Sequence, residues 1–464
     1  MANLRLVHIL RSAGFLPDSD RSWLHEALIT AEEEIALLST SIAELESKRD
    51  ALTLRATMCR SALAPIRGLP RDMLQEIFSW TCGLGADREW RAPWLLGQVC
   101  SSWRDVMMTS PFLWSTIVTP LPGIHPHLLG EALRRSGRHP LSMALTFKRA
   151  LTKDNLLDIL LQHCARWRVM KIDVSGLPSR DIDAILQRLS VVSRKLPLLE
   201  EVYIDVGTKG LLHSTDTFGA ANSLRRLDLR RFVLFQTPID ERRLTHLSAT
   251  LTHISDIEHI MSFPSLVECH LSVYKPIFQS SPPICITNER IIRFSTNNTQ
   301  ILDTLTLPTL QTLRIVGCRA ESDALTAFML RSACRLQSFI TDTASGVRLD
   351  DLSSVKKLTV HVNRENIVFS LFHQLTCPRT LPGLCELAIT IPPNFVMYAK
   401  TLVDVLRKRM ATRAVSLTLV CADHDSRIVK QLKHCGLDSL ENEGLRVDVK
   451  YSSPEEYRLD SPWL

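Results

Sequence analysis

The chain has 464 residues, of which 45% are hydrophobic and 22% are charged. This much apolar surface excludes global disorder, and the length exceeds one compact core, since a domain commonly holds about 150 residues. The net charge of +6 is small for this length and its basic residues are dispersed, which argues against nucleic acid as a partner. The sequence therefore predicts several folding units or one elongated array.

The cysteines indicate a reducing compartment. The chain has 12 of them, none in a C-x-x-C pair and most within apolar stretches, which is typical of free intracellular thiols. The N-terminus lacks the apolar run and cleavage site of a secretory signal, and no stretch of the sequence is apolar enough to span a membrane. We therefore expect a cytoplasmic or nuclear protein with no membrane partner.

Residues 1–19 are predicted to be a frayed leader, and residues 20–64 a single long amphipathic helix. Apolar residues recur there at alternating steps of three and four, without Pro or Gly, which is the heptad spacing of a coiled coil. Two interpretations stay open: a homodimer through residues 24–59, and a helix that folds back onto the following domain. The seam positions are Leu24, Leu28, Ala31, Ile35, Leu38, Ile42, Leu45, Arg49, Leu52, Ala56 and Cys59.

Residues 65–117 form a small segment for which three short helices are predicted. Pro70 opens the first helix, Pro93 opens a second that runs to Val106, and the segment closes with Ser110 to Trp114. Five of the chain's 8 tryptophans lie within this segment, between Trp80 and Trp114. A module of this size hides only about 60% of its unfolded surface, so part of an apolar face is expected to stay accessible to a partner.

The order and spacing of these residues resemble the F-box motif, in the form common among fungal F-box proteins. In that family a coiled coil often precedes the motif and leucine-rich repeats often follow it. The motif occupies about a ninth of the chain. The resemblance rests on Leu69-Pro70-x-Asp72-x-Leu74-x-x-Ile77-Phe78, then Val99-Cys100-x-x-Trp103-Arg104, and finally Leu113-Trp114.

This resemblance implies docking onto the Skp linker subunit, and through it onto the cullin, of a Skp–cullin–F-box ubiquitin ligase. The rest of the chain would then present a protein substrate. Among the matching positions we expect Leu69, Pro70 and Ile77 to contact the partner, and Val99 and Trp103 to lie in the core of the module. The full set of partner-binding positions carried over from the family is Leu69, Pro70, Leu74, Ile77, Phe78, Val99, Trp103 and Trp114.

Residues 118–150 are predicted to be a linker, residues 151–435 a leucine-rich-repeat-like region, and residues 436–464 a cap followed by a mobile tail. In the long region one pattern recurs: apolar, two polar, apolar, one polar, apolar. Complete copies begin at Trp167, Leu199, Leu224, Leu266, Leu310, Val355 and Leu384, and partial copies are Leu244-x-x-Leu247, Leu336-x-x-Phe339 and Leu417-x-Leu419. A degenerate copy is expected near Ile291.

Helices are predicted ahead of several copies, over residues 154–165, 181–194, 321–334 and 397–410. Helix, turn and strand repeated every 20 to 30 residues or so are typical of a leucine-rich-repeat solenoid, whose parallel strands line one concave wall. The predicted fold class is therefore α/β: a long N-terminal helix, a three-helix F-box, and an irregular leucine-rich-repeat solenoid of parallel strands and helices. A non-repetitive α/β domain is the alternative.

Polar side chains between the apolar positions of the strands alternate in direction, and those on the concave wall are expected to select the substrate. The candidates are Glu200, Glu201, Arg225, Arg226, Asp228, Thr245, His246, Glu268, His270, Gln311, Arg314, Lys356 and Lys357.

The sequence predicts no catalytic residue, no metal site and no cofactor. Asp423-His424-Asp425 is the one tight cluster of carboxylates and imidazole, and it has no second His or Cys at ligand spacing, so a surface turn is expected. Residues 207–210 lack the Lys-Ser/Thr ending of a phosphate loop. Cys377 and Cys385 have no activating histidine nearby in sequence.

Three functions of different classes remain. The favoured one is a non-catalytic substrate-recognition subunit of a ubiquitin ligase, with an unidentified protein substrate. The second is a leucine-rich-repeat scaffold protein without ligase function. The third is a hydrolase or metalloenzyme concealed in the repeat region, which stoichiometric zinc lost on changing His424 would support.

Overall fold

The structure is a computed structural model of the chain, which divides into two compact units, Met1–Leu74 and Gln75–Leu464. Within the described residues, no helix combines the length and the apolarity that crossing a membrane requires. The structure describes residues 2–11, 16–83, 91–121, 125–147, 156–192, 195–207, 218, 221–233, 239–251, 253, 255–273, 285–317, 322–342, 347–362, 371–377, 379–391, 398–411, 415–421 and 426–451.

The described part of the first unit includes α1 (Ala2–Arg11), α2 (Asp18–Ala62) and a 3-10 helix at Pro65–Gly68. α2 agrees with the predicted long helix to within two residues at each end. The expectation of a frayed leader over residues 1–19 is wrong, since α1 lies there. Apolar residues at helical spacing explain α1, and Ile9 on that face is 9% exposed.

Three further helices follow: α3 (Arg71–Thr81), α4 (Ala92–Val99) and α5 (Ser101–Met108), with a 3-10 helix at Pro111–Trp114. The prediction of one continuous helix from Pro93 to Val106 is wrong. Cys100 adopts an extended conformation, with φ −159° and ψ 172°, so the helix ends at Val99 and a new one starts at Ser101. Residues in an extended conformation are typical of helix starts, which explains the break at this point.

Among its described residues, the rest of the second unit is dominated by one sheet of 14 parallel strands whose spatial order follows the chain. A separate pair of parallel strands, β8 (Ile286–Thr287) and β10 (Leu305–Thr306), lies outside it. The strands of the large sheet are β1 (Thr116–Leu121), β2 (Leu141–Phe147), β3 (Trp167–Asp173), β4 (Glu201–Asp205), β5 (Arg226–Val233), β6 (His246–Leu251), β7 (Glu268–Val273), β9 (Arg293–Thr296), β11 (Thr312–Ile315), β12 (Ser338–Thr341), β13 (Lys357–His361), β14 (Glu386–Ile391), β15 (Ser416–Cys421) and β16 (Arg446–Tyr451).

Helices connect many of these strands, as parallel pairing requires a crossover. They are α6 (Pro126–Arg135), α7 (Leu156–Leu161), α8 (Ser179–Ser190), α9 (Ser255–Met261), α10 (Gln300–Asp303), α11 (Ser322–Ser332), α12 (Ala399–Met410), α13 (Ser426–His434) and α14 (Leu437–Asn442). The four helices that the sequence predicted in this region correspond to α7, α8, α11 and α12.

The three apolar positions of the recurring pattern face the core. In the copy that includes β5, Leu224, Leu227 and Leu229 are 1%, 0% and 0% exposed. Because side chains alternate across a strand, the polar residue between the last two apolar positions must face the opposite side of the sheet. The degenerate copy expected near Ile291 is also a strand: β9 pairs with both β7 and β11.

Two of the predicted boundaries are wrong. Residues 118–150 are not a linker, because α6, β2 and most of β1 lie there and both strands belong to the large sheet. Period-two alternation forms β2, and Leu141, Met143, Leu145 and Phe147 are all buried. Residues 436–464 contain more than a cap, since they include α14 and the last strand, β16. The predicted mobile tail falls on residues 452–464, outside the described residues.

Candidate interaction surfaces

The first candidate surface belongs to the helical module, defined here as residues 75–117. Its core is aromatic: the rings of Phe78 and Trp103 meet edge to face with centroids 4.8 Å apart, and Trp94 and Trp114 do the same at 4.8 Å. The indole Nε1 of Trp114 donates to the carbonyl oxygen of Met107 at 2.7 Å. These contacts fix the short helices against one another, because edge-to-face pairs and a satisfied indole N–H both stabilise a buried aromatic group.

Arg135 of α6 completes this core from outside the module. Its guanidinium carbon lies 4.6 Å from the centroid of Trp94 and 4.5 Å from that of Trp114, so one cation contacts two rings. Glu131 accepts hydrogen bonds from Arg134 at 2.6 Å and from Arg135 at 2.8 Å. The hydrogen bond from Arg134 is the main reason why the pKa of Glu131 falls to about 2. The carboxylate therefore holds Arg135 in place over the rings.

The structure sorts the predicted partner-binding positions by exposure. Leu74, Phe78 and Trp114 are 4%, 0% and 2% exposed, so they form the interior rather than a contact surface. Ile77 is 38% exposed and Val99 is 57% exposed, so both side chains are accessible. The expectation that Val99 lies in the core is wrong, because it is the last residue of α4 and its side chain points to solvent at the helix end.

The other three positions differ from one another. Pro70 is exposed, Leu69 is half-buried, and Trp103 is half-buried against Phe78. Trp103 therefore belongs to the core of the module, as expected.

The helical module exposes a set of large apolar side chains around its aromatic core. A small helical unit cannot cover this many large residues by itself, which is the physical condition for a partner-binding face. Trp80 is the most exposed member, at 67%, and its Nε1 donates to Glu76 Oε1 at 3.0 Å. We call this set the exposed apolar set: Ile77, Trp80, Leu95, Val99, Met108 and Phe112.

The second candidate surface is the polar face of the large sheet, opposite the core. Along it, Glu201, Arg226, His246, Glu268 and Arg293 occupy equivalent positions on five successive strands and are paired in register. Successive strands lie about 4.8 Å apart, so these side chains form one continuous row.

Glu268 is the best-coordinated carboxylate of this row. Arg293 Nη1 donates to its Oε1 at 2.7 Å, and His246 Nε2 lies 3.4 Å from its Oε2. Burial alone would raise the pKa of Glu268, but the hydrogen bond with His246 and the charges of His246, Arg293 and Arg226 together lower it. Glu268 is therefore ionised at neutral pH and can hold basic neighbours in a fixed geometry.

A short relay of hydrogen bonds lies at the other end of the row. Arg226 Nη1 donates to the Tyr203 hydroxyl at 3.2 Å, and that hydroxyl donates to Glu201 Oε2 at 3.0 Å. The ammonium of Lys171 lies 4.9 Å from the centroid of the same tyrosine ring. Burial raises the pKa of Tyr203 to about 12, although the hydrogen bond from Arg226 opposes the shift. Tyr203 therefore stays a hydrogen-bond donor.

The next row of the same face is more deeply buried. Asp228 is 2% exposed and Arg314 is 5% exposed, and His270 lies between them in register. On β13, His361 Nδ1 lies 2.9 Å from Thr390 Oγ1. Burial, followed by the charge of Arg314, lowers the pKa of His361 to about 4, so this imidazole is neutral at physiological pH.

The candidate list from the sequence divides into two groups. The first group stands directly before the first residue of a strand. Of these residues, Thr245 is half-buried, and the exposed ones are Glu200, Arg225, Gln311 and Lys356. The remaining members lie on strands and contribute to the polar face. They are Glu201, Arg226, Asp228, His246, Glu268, His270, Arg314 and Lys357.

The polar face offers charged groups and hydrogen-bond donors whose contacts fix their orientation. Among the described residues, no group of three His, Cys, Asp or Glu side chains could hold a metal ion. Asp423-His424-Asp425 falls outside the described residues. Gly207 forms a turn with φ +68° after β4, and Cys377 is an exposed free thiol. This surface can bind a polar macromolecule by shape and charge.

The chain matches no family model and no curated protein in a search of both.

Sequence reasoning missed several members of these surfaces. Lys171 and Tyr203 occupy the same pattern position as Asp228 and His270, so the pattern itself could have identified them. Arg135 could not be found in this way, because its role depends on α6 packing beside two tryptophans that are distant in sequence.

Proposed function

We propose that this protein is the substrate-recognition subunit of a Skp–cullin–F-box ubiquitin ligase, with residues 65–117 as its F-box. The observation that carries the proposal is the exposure of Ile77 and Val99, at 38% and 57%, above a closed aromatic core. Both residues match positions of the F-box pattern. Residues that match the motif and are also exposed are the ones a linker subunit could bind.

The proposed interface is of the anchor type, in which a few large side chains provide most of the binding free energy. Replacing a central anchor by alanine typically costs about 2 kcal/mol or more. The exposed apolar set supplies such anchors, and the contacts of Phe78, Trp103 and Trp114 keep their positions rigid. Anchors whose positions are fixed before binding lose less entropy on binding.

We infer that the parallel sheet and its helices form an irregular leucine-rich-repeat solenoid whose polar face receives the protein substrate. A repeated backbone hydrogen bond supports this inference. The N–H of Arg225 donates to Glu200 O at 2.9 Å, that of Thr245 to Arg225 O at 2.9 Å, and that of Val267 to Thr245 O at 2.9 Å. The same link continues through Ile292, Gln311, Gln337, Lys356, Cys385 and Ser416.

Stacked repeats contact only their neighbours, so the same hydrogen bond is expected at the same position of each successive copy. The paired charges around Glu268 favour a substrate segment with polar or charged side chains over an apolar one. The polar face would then select the substrate while the helical module joins the linker subunit and, through it, the cullin.

Co-expression of the full chain with a Skp linker subunit tests the proposal. We expect the wild-type chain to co-purify with the linker and the double variant Ile77→Asp/Val99→Asp to lose it. Val191 and Leu330 are 72% and 78% exposed and lie outside the module, so Val191→Asp/Leu330→Asp is the matched control and should retain the linker. A folded wild-type chain that ignores the linker at micromolar concentration would favour the scaffold without ligase function.

A further inference from the structure

α2 carries an uncovered apolar seam. It is a helix of 45 residues with no buried residue among them. At the heptad positions between residues 28 and 52, six leucines and isoleucines are 53% to 65% exposed. They are Leu28, Ile35, Leu38, Ile42, Leu45 and Leu52. A stripe this narrow and regular is the geometry that a second helix covers.

The charges of α2 are divided between its two ends. Before residue 47 the helix contains eight carboxylates and a single arginine, and from residue 48 onward it contains four basic side chains and one carboxylate. A second copy of α2 running in the opposite direction would place the acidic half of each helix beside the basic half of the other. A copy running in the same direction would place like charges together.

The heptad positions give the same preference. In a parallel pair Arg49, at an a position, would face its own copy in the seam. Arg55 and Arg60, at g and e positions five residues apart, would also face each other across the interface. Asp50, the one carboxylate of α2 beyond residue 47, offsets little of this repulsion, because its ion pair with Arg49 is highly exposed. Parallel pairing therefore brings cations together at two levels.

We propose that α2 pairs with α2 of a second copy as an antiparallel coiled coil centred on Thr40. Positions whose numbers add to 80 then lie opposite one another, which stacks Leu28 on Leu52, Ile35 on Leu45 and Leu38 on Ile42. The proposal does not rest on the ligase function. It identifies the partner of this surface as another molecule of the same chain.

Arg49 selects this register. It lies opposite Ala31, which is small enough to admit a long side chain, and Ala31 is flanked by Glu32 and Glu34. In one copy alone, Arg49 binds Asp50 at 2.9 Å, with 67% and 70% of the two side chains exposed. An ion pair this exposed is weak, so exchanging it for carboxylates of the partner costs little.

The centre of the pair fits a close approach. Ser39 and Ser41 lie on either side of Thr40, and both are small. The Ser39 hydroxyl donates to Ile35 O at 2.7 Å and the Thr40 hydroxyl to Ala36 O at 2.9 Å. Ser39 and Ser41 occupy the e and g positions beside the seam, whereas Thr40, at an f position, faces away from the partner. The Ser39 hydroxyl bonds to the helix's own backbone, so it can lie near the dyad without needing a partner group.

Sedimentation of the full chain tests whether the seam pairs. Leu37 and Leu38 are neighbours with similar exposure, 70% and 63%, but only Leu38 lies on the seam. We expect the wild type and Leu37→Lys to sediment as dimers, and Leu38→Lys to raise the dimer Kd about a hundredfold or more, since each dimer loses two layers. A wild-type chain that is monomeric at micromolar concentration would overturn the proposal, as would equal effects of the two variants.

Cysteine cross-linking tests the direction of pairing. Each new cysteine is introduced into the Cys59→Ser protein, and the disulfides that Cys59→Ser forms by itself are subtracted. Antiparallel pairing predicts that Ile35→Cys and Leu45→Cys give no interchain disulfide alone and a disulfide when the two are mixed and re-equilibrated. Parallel pairing predicts disulfides from each variant alone and would overturn the proposal. In the wild type, the antiparallel pair holds the two Cys59 thiols about 57 Å apart, so mild oxidation should not join them.

Discussion

Replacing Arg135 by methionine isolates what its guanidinium contributes to the helical module. The cation lies 4.6 Å and 4.5 Å from the ring centroids of Trp94 and Trp114, and 20% of its side chain is exposed. A partly desolvated cation over one ring contributes about 1 kcal/mol, so two rings give about 2 kcal/mol. The ion pair with Glu131 adds at most about 1 kcal/mol, and the methionine sulfur restores about 0.5 kcal/mol against the rings.

We therefore expect Arg135→Met to lower the local stability of the module by about 2 kcal/mol, or about thirtyfold in an opening equilibrium. Hydrogen exchange of the amides of residues 92–117 measures this opening. Arg134→Met is the control, because Arg134 binds the same Glu131 at 2.6 Å but is 68% exposed. Equal loss of protection in both variants would show that the rings contribute nothing and would refute the reasoning.

Two further predictions concern the sheet and its connections. A Cβ at Gly207, where φ is +68°, would lie 2.8 Å from Ser175 Cβ and 2.9 Å from Ser175 O, so Gly207→Ala should cost more than about 1 kcal/mol. Gly130 lies in α6 and a new Cβ there has no atom within 4 Å, so Gly130→Ala should instead stabilise the protein by about 0.5–1 kcal/mol. Denaturant titrations of both variants measure these changes, and a Gly207→Ala variant more stable than Gly130→Ala would contradict the turn geometry. The folded-state pKa of His361 is about 4, below the ordinary value of 6.5, so its stabilisation is present above pH 6.5 and is lost as the pH falls through 4. The free energy of unfolding, measured by denaturation at neutral and acidic pH, should therefore fall by up to about 3 kcal/mol less in His361→Gln than in the wild type. An equal fall in both proteins would contradict the burial of the imidazole.

The recurring apolar pattern was sufficient to predict most of the large sheet. A complete copy places three apolar side chains on one side, as in Leu310, Leu313 and Ile315, and all three are at most 1% exposed. Local spacing determines this outcome, because alternation along a strand is set by backbone geometry. The long helix α2 was predictable for the same reason, since its seam follows the heptad period without a Pro or Gly.

Elements that lack the repeated pattern were missed. β2 alternates apolar and other residues with period two but does not begin with the two-residue spacing of the repeats, so residues 118–150 were assigned as a linker. The break between α4 and α5 depends on the extended backbone of Cys100, which no residue type in the sequence demands. Tertiary packing overrides local propensity at such points.

The candidate surfaces were predictable only in part. Matching positions identified the residues of the helical module, but exposure separated Val99 from Phe78, and exposure depends on how the helices pack. On the sheet, alternation indicated which residues share a face, whereas the coordination of Glu268 by Arg293 and His246 required the strand register. Strands distant in sequence become neighbours only through that register.

The most direct test of the proposed function is hydrogen exchange of the full chain with and without a purified Skp linker subunit. The account predicts slower exchange in α3, α4 and α5, around Ile77 and Val99, with no change along the strands of the large sheet. Protection confined to the sheet, with the helical module unchanged, would contradict it.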